Sequence, residues 1–276
     1  MSLEGTDVAA TDAVTKGGAT NEDGTSEGAP LLTLSDVSKV FNGDLVALNG
    51  MSLQVRAGDF VSLLGPSGCG KSTALRLIAG LSHPTSGKID WTGGQGAGDL
   101  GVVFQEPTLM PWATVAQNVW LPWRLRGKSY ASVKDKVLEA LALVGLEKFA
   151  GSYPRELSGG MKMRVSIARS LVTNPRLILM DEPFAALDEI TRHKLNNDLL
   201  ALRAKIGCTI IFVTHSVFES VFLSNRIVVM AARPGRVIHE VAVDAPYPRD
   251  EEFRTSSAYA AHCRAASDAL HDAIGD

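Results

Sequence analysis

A nine-residue glycine-rich loop is the stretch of this chain best suited to chemistry: Gly65-Pro66-Ser67-Gly68-Cys69-Gly70-Lys71-Ser72-Thr73. An apolar run, Phe60 to Leu64, precedes it, and helically spaced apolar residues follow it, which predicts strand, loop and helix. In that context the spacing GxxxxGK[ST] favours phosphate binding, because backbone N–H groups can surround phosphate oxygens and the helix N-terminus adds positive charge. Lys71 would reach the β- and γ-phosphates of a nucleotide, and Ser72 would offer its hydroxyl to Mg²⁺. An incidental lysine in a glycine-rich turn would not explain both flanking elements.

Polar residues also follow two other apolar runs of the type found in buried parallel strands. Leu177 to Met180 ends in Asp181-Glu182, and Thr209 to Val213 ends in Thr214-His215. Because open α/β sheets bind ligands at the carboxyl ends of their strands, these groups and the glycine loop are expected to meet in one pocket. Taken separately, the two acids could cap the next helix, and the histidine could be a structural residue.

A second candidate anion site is Leu157-Ser158-Gly159-Gly160-Met161, which precedes another helically spaced run. Ser158 is placed as an N-cap, and the glycines leave the helix N-terminus accessible to an anion. Such a sequence is also a common helix cap. Its functional interpretation therefore depends on the glycine loop elsewhere in the chain.

The elements that must position these residues begin with short alternating segments, which predict antiparallel strands: Leu32 to Val37, Leu45 to Leu48 and Met51 to Val55. Asn42-Gly43 and Asn49-Gly50 are the predicted turns between them. Phe41 ends the first segment. It could fill the core or serve as a stacking platform for a base.

Further strands are predicted at Lys88 to Asp90 and Gly101 to Phe104, on either side of a glycine-rich connection. A helical insertion follows, with a predicted helix over 131–150 and the apolar stripe Val133, Val137, Leu141 and Val144. Before that helix lie Trp112, Trp120 and Trp123, which could be its core or an exposed surface that receives a partner.

The last third of the chain contains a helix beginning at Asp188, a closing hairpin and a charged, alanine-rich helix over 250–274. The hairpin strands are Arg226 to Ala231 and Val237 to Glu240, and the last helix aligns Tyr259, Cys263, Ala266 and Leu270.

Composition is that of a soluble globular protein, with 45% hydrophobic and 21% charged residues in 276. The formal charge is −3, and residues 1–30 hold six acids against one lysine, so the remainder sums to about +2. That charge predicts no nucleic-acid partner.

Three widely spaced cysteines predict a reducing compartment, and neither a signal peptide nor a membrane span is expected. Residues 1–30 predict a disordered tail.

With these residues in place, the chain resembles the ATP-binding cassette (ABC) ATPases from about Leu31 to Glu240. The motifs occur in family order: the A-loop aromatic Phe41, the Walker A loop, the Q-loop Gln105, the signature Leu157 to Gly160, the Walker B acids Asp181 and Glu182, the D-loop Ala186-Leu187-Asp188, and the switch His215. The resemblance implies an α/β fold: a P-loop NTPase (RecA-like) core with an antiparallel β subdomain and an α-helical subdomain. The implied domains are an ATPase domain over 31–245, with a helical subdomain at about 106–171, and a helical extension over 246–276.

The resemblance also implies the role of each site residue. Asp181, Ser72 and Gln105 would hold or sense Mg²⁺, Glu182 would be the general base for the attacking water, and His215 would contact the γ-phosphate with Lys71. The implied ATP contacts are Phe41, Gly65, Pro66, Ser67, Gly68, Cys69, Gly70, Lys71, Ser72, Thr73, Gln105, Ser158, Gly159, Gly160 and Asp188. In the family the signature of one subunit closes over the nucleotide on the other, which implies a homodimer.

Met161 departs from the family, which usually has Gln there, and this puts signature contacts to the ribose in doubt. The sequence LSGGM, together with Met110-Pro111-Trp112, Arg233-Pro234-Gly235-Arg236 and Pro246-Tyr247-Pro248-Arg249, is similar to the nitrate, sulfonate and taurine importer group. That group implies a peripheral subunit on the cytoplasmic face of the inner membrane. It would bind an integral membrane permease and act indirectly with an extracytoplasmic solute-binding protein. The alternative is a soluble ABC ATPase of translation or DNA metabolism.

Overall fold

The computed structural model describes residues 30–94 and 99–275. The predicted disordered tail therefore lies outside the described residues, except for Pro30, and so does part of the predicted glycine-rich connection, over residues 95–98. The strands are β1 (Pro30–Phe41), β2 (Leu45–Arg56), β3 (Phe60–Leu64), β4 (Ser86–Trp91), β5 (Leu100–Val103), β6 (Leu177–Asp181), β7 (Thr209–Thr214), β8 (Arg226–Ala231) and β9 (Arg236–Ala242). The helices are α1 (Lys71–Ile78), α2 (Val115–Leu125), α3 (Tyr130–Leu143), α4 (Gly159–Leu171), α5 (Glu189–Ile206), α6 (Val217–Leu223), α7 (Glu251–Thr255) and α8 (Ser257–Gly275).

The larger sheet carries the predicted polar strand ends. Within the described ranges it has six strands in the order β5-β6-β7-β3-β8-β9, all parallel except β9. Every residue of β3 and β7 is buried, because helices cover one face of the sheet while α1 and the smaller sheet cover the other, and this explains their uninterrupted apolar sequences. The carboxyl ends of β3, β6 and β7 therefore lie side by side, as the sequence predicts.

The smaller sheet is antiparallel, in the order β2-β1-β4. The turn at Asn42-Gly43 is confirmed, and both residues have positive φ (49° and 84°). The turn predicted at Asn49-Gly50 is wrong, because β2 continues through these residues and pairs with β1 in a shifted register. Gly50 has φ 63°, and its N–H donates to Ser38 Oγ at 2.9 Å, so a bulge stands where a turn was expected.

The helical insertion contains α2 and α3. Val133, Val137 and Leu141 of the predicted stripe are buried, but α3 ends at Leu143 and not near 150. It ends there because Gly145 adopts φ 69° and its N–H donates to the Ala142 carbonyl, which closes the last turn.

The chain after the closing hairpin packs against the main core. The predicted helix over 250–274 is divided at Ser256 into α7 and α8, and Tyr259, Cys263 and Ala266 of its aligned face are buried. Arg249 is 4% exposed, and its guanidinium donates to carbonyls at the end of α6, including Val221 O at 2.8 Å. The predicted boundary at 245–246 stays a prediction. No helix within the described residues has the length and apolarity needed to cross a bilayer.

Candidate active site

The glycine loop between β3 and α1 has a backbone that side chains would obstruct. A Cβ at Gly65 would lie 2.5 Å from Met230 O, and one at Gly70 would lie 2.7 Å from Ala47 O. Gly68 and Gly70 have φ of 80° and 89°, which L-residues adopt at a cost. The loop is therefore packed tightly against its neighbours, as a backbone cradle for phosphate oxygens requires.

Lys71 lies along the inside of this loop and is 5% exposed. Its Nζ donates to Gly65 O at 2.7 Å and to Pro66 O at 2.9 Å. A third contact, to Cys69 Sγ, is 3.7 Å long. None of these partners is an acidic side chain, so the ammonium charge remains available to an anion at the mouth of the loop.

Ser72 and Asp181 are brought together from α1 and the end of β6. Ser72 Oγ donates to Asp181 Oδ1 at 2.9 Å. Burial raises the pKa of the Asp181 carboxyl above its ordinary value, while the bond from Ser72 opposes that shift. A hydroxyl and a carboxylate are hard oxygen donors of the kind Mg²⁺ prefers, and a cation beside them would stabilise the charged carboxylate. The pair fits the magnesium site that the sequence predicts, and its metal-binding role stays a prediction.

Glu182 and His215 form a second pair, at the ends of β6 and β7. Glu182 Oε2 lies 3.0 Å from His215 Nδ1. Glu182 has φ 45°, a left-handed conformation that is uncommon for a non-glycine residue. The simpler interpretations do not hold: the side chain of His215 is 57% exposed, and Asp188 caps α5 through the Thr191 N–H at 2.9 Å.

A cleft of about 450 Å³ lies beside these groups. It is lined by Phe41, Leu45, Val46, Ala47, Ser67, Gly68, Gly70, Lys71, Ser72, Thr73, Glu182 and Arg233. Asp181 and His215 do not line it, but they are hydrogen-bonded to the lining residues Ser72 and Glu182. Phe41 is half-buried on the wall of the cleft, and its role as a stacking platform for a base stays a prediction. Arg233 was not predicted as a site residue; the sequence singles it out only within the motif Arg233-Pro234-Gly235-Arg236.

Three groups of predicted site residues lie outside the glycine loop and the ends of β6 and β7, and none of them is among the described residues that line the cleft. Gln105 follows β5 and is exposed. Ser158 caps α4, and its Oγ accepts from Met161 N–H at 3.3 Å, which confirms the predicted N-cap. Asp188 caps α5, and its bond from the Thr191 N–H lowers the pKa of the carboxyl.

The α4 and α5 N-termini are instead packed against each other. A Cβ at Gly160 would lie 3.0 Å from Thr191 Cγ2, and one at Gly159 would lie 3.5 Å from Leu187 Cδ2. The signature and D-loop residues thus form one surface unit, separate from the cleft that holds Lys71.

Residues 48–185 match the family model described as ABC transporter. The chain belongs to the ABC transporter family. ABC ATP-binding proteins hydrolyse ATP, and the glycine loop, Asp181 and Glu182 all lie within the matched range.

Named ABC relatives cover most of the chain. It is 49% identical to an uncharacterized ABC transporter ATP-binding protein of Methanocaldococcus jannaschii, over 79% of this chain and 84% of that protein. It is 45% identical to the nitrate import ATP-binding protein NrtD of Synechocystis sp., over 83% and 87% of the two chains. It is 43% identical to the aliphatic sulfonates import ATP-binding protein SsuB of Bacillus cereus, over 80% and 89%.

A solved ABC cassette confirms the fold. The chain is similar, with a TM-score of 0.66 and 34% identity, to an ATP-binding cassette determined as a dimer in a post-hydrolysis state with ADP and Pi. The match covers 78% of this chain and all of that one. The predicted P-loop NTPase architecture is therefore confirmed.

Proposed function

We propose that this chain is the ATP-hydrolysing subunit of a bacterial ABC importer for nitrate, a sulfonate, taurine or a similar small solute. One observation carries the enzymatic part: Ser72–Asp181 and Glu182–His215 are paired beside the glycine loop at one edge of one sheet. The importer part is supported by relatives whose names describe nitrate and sulfonate import.

The proposed reaction is in-line attack of water on the γ-phosphorus of ATP. The bond between the water oxygen and phosphorus forms, the bond to the β–γ bridging oxygen breaks, and the water proton passes to the Glu182 carboxylate. Lys71 and the loop N–H groups stabilise the charge on the phosphate oxygens, and His215 orients the γ-phosphate and Glu182. Mg²⁺ bound by Ser72 and Asp181 would supply further neutralisation of phosphate charge. The role assigned to Gln105, sensing metal and water, stays a prediction.

The proposed assembly is a homodimer with two shared sites. Within one chain the Ser158–Gly160 helix tip lies outside the Lys71 cleft, so a second copy is needed to bring such a tip to the bound ATP. The dimeric cassette solved with ADP and Pi is consistent with this arrangement.

The proposed permease contact centres on Trp112. This side chain is 76% exposed, whereas Trp123 Nε1 donates to Val172 O at 3.0 Å and Trp120 Nε1 to Lys128 O at 3.1 Å. Trp120 and Trp123 therefore fit the interpretation as core of the insertion. Trp112 fits the other interpretation, an exposed surface that receives a partner. Such a contact would hold the subunit at the cytoplasmic face of the membrane, with the solute-binding protein reached through the permease.

Replacing Trp112 by Ala is expected to weaken permease binding about 10- to 100-fold, as for a tryptophan at an interface hot spot. ATP affinity and thermal stability should stay close to wild type, because the side chain is exposed. The matched control is Leu125→Ala, which removes another exposed apolar side chain, 79% exposed, from the same insertion. Loss of folding in Trp112→Ala, or unchanged permease binding, would contradict the assignment.

Co-purification separates the importer from a soluble ATPase of translation or DNA metabolism. A tagged chain extracted from membranes should bring a permease with it, and that complex should hydrolyse ATP faster when solute and its binding protein are supplied. Association with ribosomes or DNA in place of a permease would favour the alternative.

A further inference from the structure

We propose that Arg233 is a nucleotide-binding residue of this chain, supplying a second cation, beside Lys71, to the phosphate chain of ATP. The inference rests on the proposed function, because ATP must occupy the cleft for Arg233 to contact it. Arg233 lines that cleft together with Gly68, Lys71 and Glu182.

The position of Arg233 is fixed by the turn between β8 and β9. Gly235 N–H donates to Ala47 O at 3.2 Å, and Asn49 N–H donates to Gly235 O at 2.9 Å. A Cβ at Gly235 would lie 2.3 Å from Cys69 O, so this turn rests directly on the glycine loop. The turn therefore holds Arg233 at a defined place beside the loop that would bind phosphate.

The backbone of Arg233 has an uncommon conformation. Its φ is 59°, in the left-handed region where glycine or asparagine would fit more easily. Asp36, Asn42, Thr108 and Asn174 also have positive φ, so the conformation by itself indicates only a tight turn. The inference therefore depends on where that turn lies, against the glycine loop, and on the free guanidinium group.

The guanidinium group of Arg233 is available to a ligand. It is exposed, and within residues 30–94 and 99–275 it has no hydrogen bond, ion pair or ring contact. Arg226, at the start of the same hairpin, is by contrast paired with Asp59 at 2.7 Å and also with Glu240.

The charges that line the cleft favour an anion. Lys71 and Arg233 are its two cations, and Glu182 is the acid among the described lining residues. A guanidinium presents a planar fork of N–H donors that matches phosphate oxygens, so its partner is expected to be the triphosphate. Phe41, also on the wall, offers an aromatic surface for the base.

The test compares Arg233→Asn, which suits the left-handed backbone and removes the charge, with Arg233→Lys, which keeps the charge and loses the fork. Binding of ATP, ADP and adenosine to each full-length variant is measured by calorimetry at constant ionic strength. The Kd for ATP should rise about tenfold in Arg233→Asn and about threefold in Arg233→Lys, as expected for an exposed charged hydrogen bond. Adenosine affinity should not change. Arg264→Asn, which removes an exposed charge from α8, is the matched control and should bind ATP like wild type.

Wild-type ATP affinity in Arg233→Asn would overturn this inference and leave the proposed function intact. Equal weakening of ATP and adenosine would also overturn it, because the contact would then be with the base or ribose. Failure of the wild-type chain itself to bind ATP would overturn the proposed function and this inference together.

Discussion

Replacing Glu182 by Gln is expected to slow ATP hydrolysis about 10²- to 10⁴-fold, the usual contribution of a general base. Gln has the same shape but does not accept a proton at neutral pH. ATP affinity should remain within about threefold of wild type, because the charges that would bind phosphate belong to Lys71 and the loop N–H groups. Single-turnover hydrolysis and equilibrium ATP binding, measured on the same preparation, separate the two effects.

The control for this experiment is Glu252→Gln, which neutralises an exposed acid on α7, away from the cleft. It should hydrolyse ATP at the wild-type rate. Undiminished hydrolysis by Glu182→Gln would remove the role assigned to Glu182, and a loss of ATP binding equal to the loss of rate would assign it to binding.

Replacing Lys71 by Ala is expected to weaken ATP binding by about 100-fold or more. A unit-charge pair at ~4 Å contributes about 4 kcal/mol at an effective dielectric of ~20. The helix dipole that remains contributes about 0.3–2 kcal/mol. The loss should be smaller than the full Coulomb value because the loop N–H groups continue to bind phosphate. Calorimetric titration with ATP gives the change directly.

Lys205→Ala provides the control for Lys71→Ala, since it removes an exposed lysine from the end of α5. Both variants should keep the circular dichroism spectrum of the wild type. If Lys71→Ala bound ATP within about threefold of wild type, the glycine loop would not be the phosphate site.

The buried strands could be predicted from sequence because an uninterrupted apolar run is typical of a strand that is covered on both faces. β3, β6 and β7 are covered on both faces, so their sequences do not alternate between apolar and polar residues. The polar residues that follow each run are therefore easy to recognise. Those strand ends predicted that Asp181, Glu182 and His215 meet the glycine loop in one pocket. The resemblance implied that Ser72 and Asp181 act together. The contact between Glu182 and His215 was not predicted. The distances within both pairs depend on the parallel register, which no local pattern specifies.

Elements governed by local backbone geometry were harder to predict. The start of α2 is marked by a capping box, in which Thr114 and Gln117 exchange hydrogen bonds, and this signal was available in the sequence but not used. The bulge at Gly50 depends on a hydrogen bond that its N–H donates to Ser38 Oγ, twelve residues away, so the Asn-Gly pair alone suggested a turn.

Arg233 could not be predicted as a site residue from sequence. Its place in the cleft results from the contact of Gly235 with the backbone of Cys69 and Ala47. Both of these residues are far from Gly235 in the sequence. The separation of the Ser158 helix tip from the Lys71 cleft is likewise a property of the folded chain. That separation is the structural reason for expecting a second copy at the site.

Two copies of the chain are proposed to enclose ATP between the Lys71 cleft of one and the Ser158 helix tip of the other. The molar mass of the Glu182→Gln variant, measured by light scattering at saturating ATP and Mg²⁺, tests this arrangement, with the Lys71→Ala variant as the monomeric control. We expect a species of about twice 29.3 kDa with ATP and a monomer without it. If the Glu182→Gln variant bound ATP and yet stayed monomeric, even with its permease present, the shared site would be ruled out.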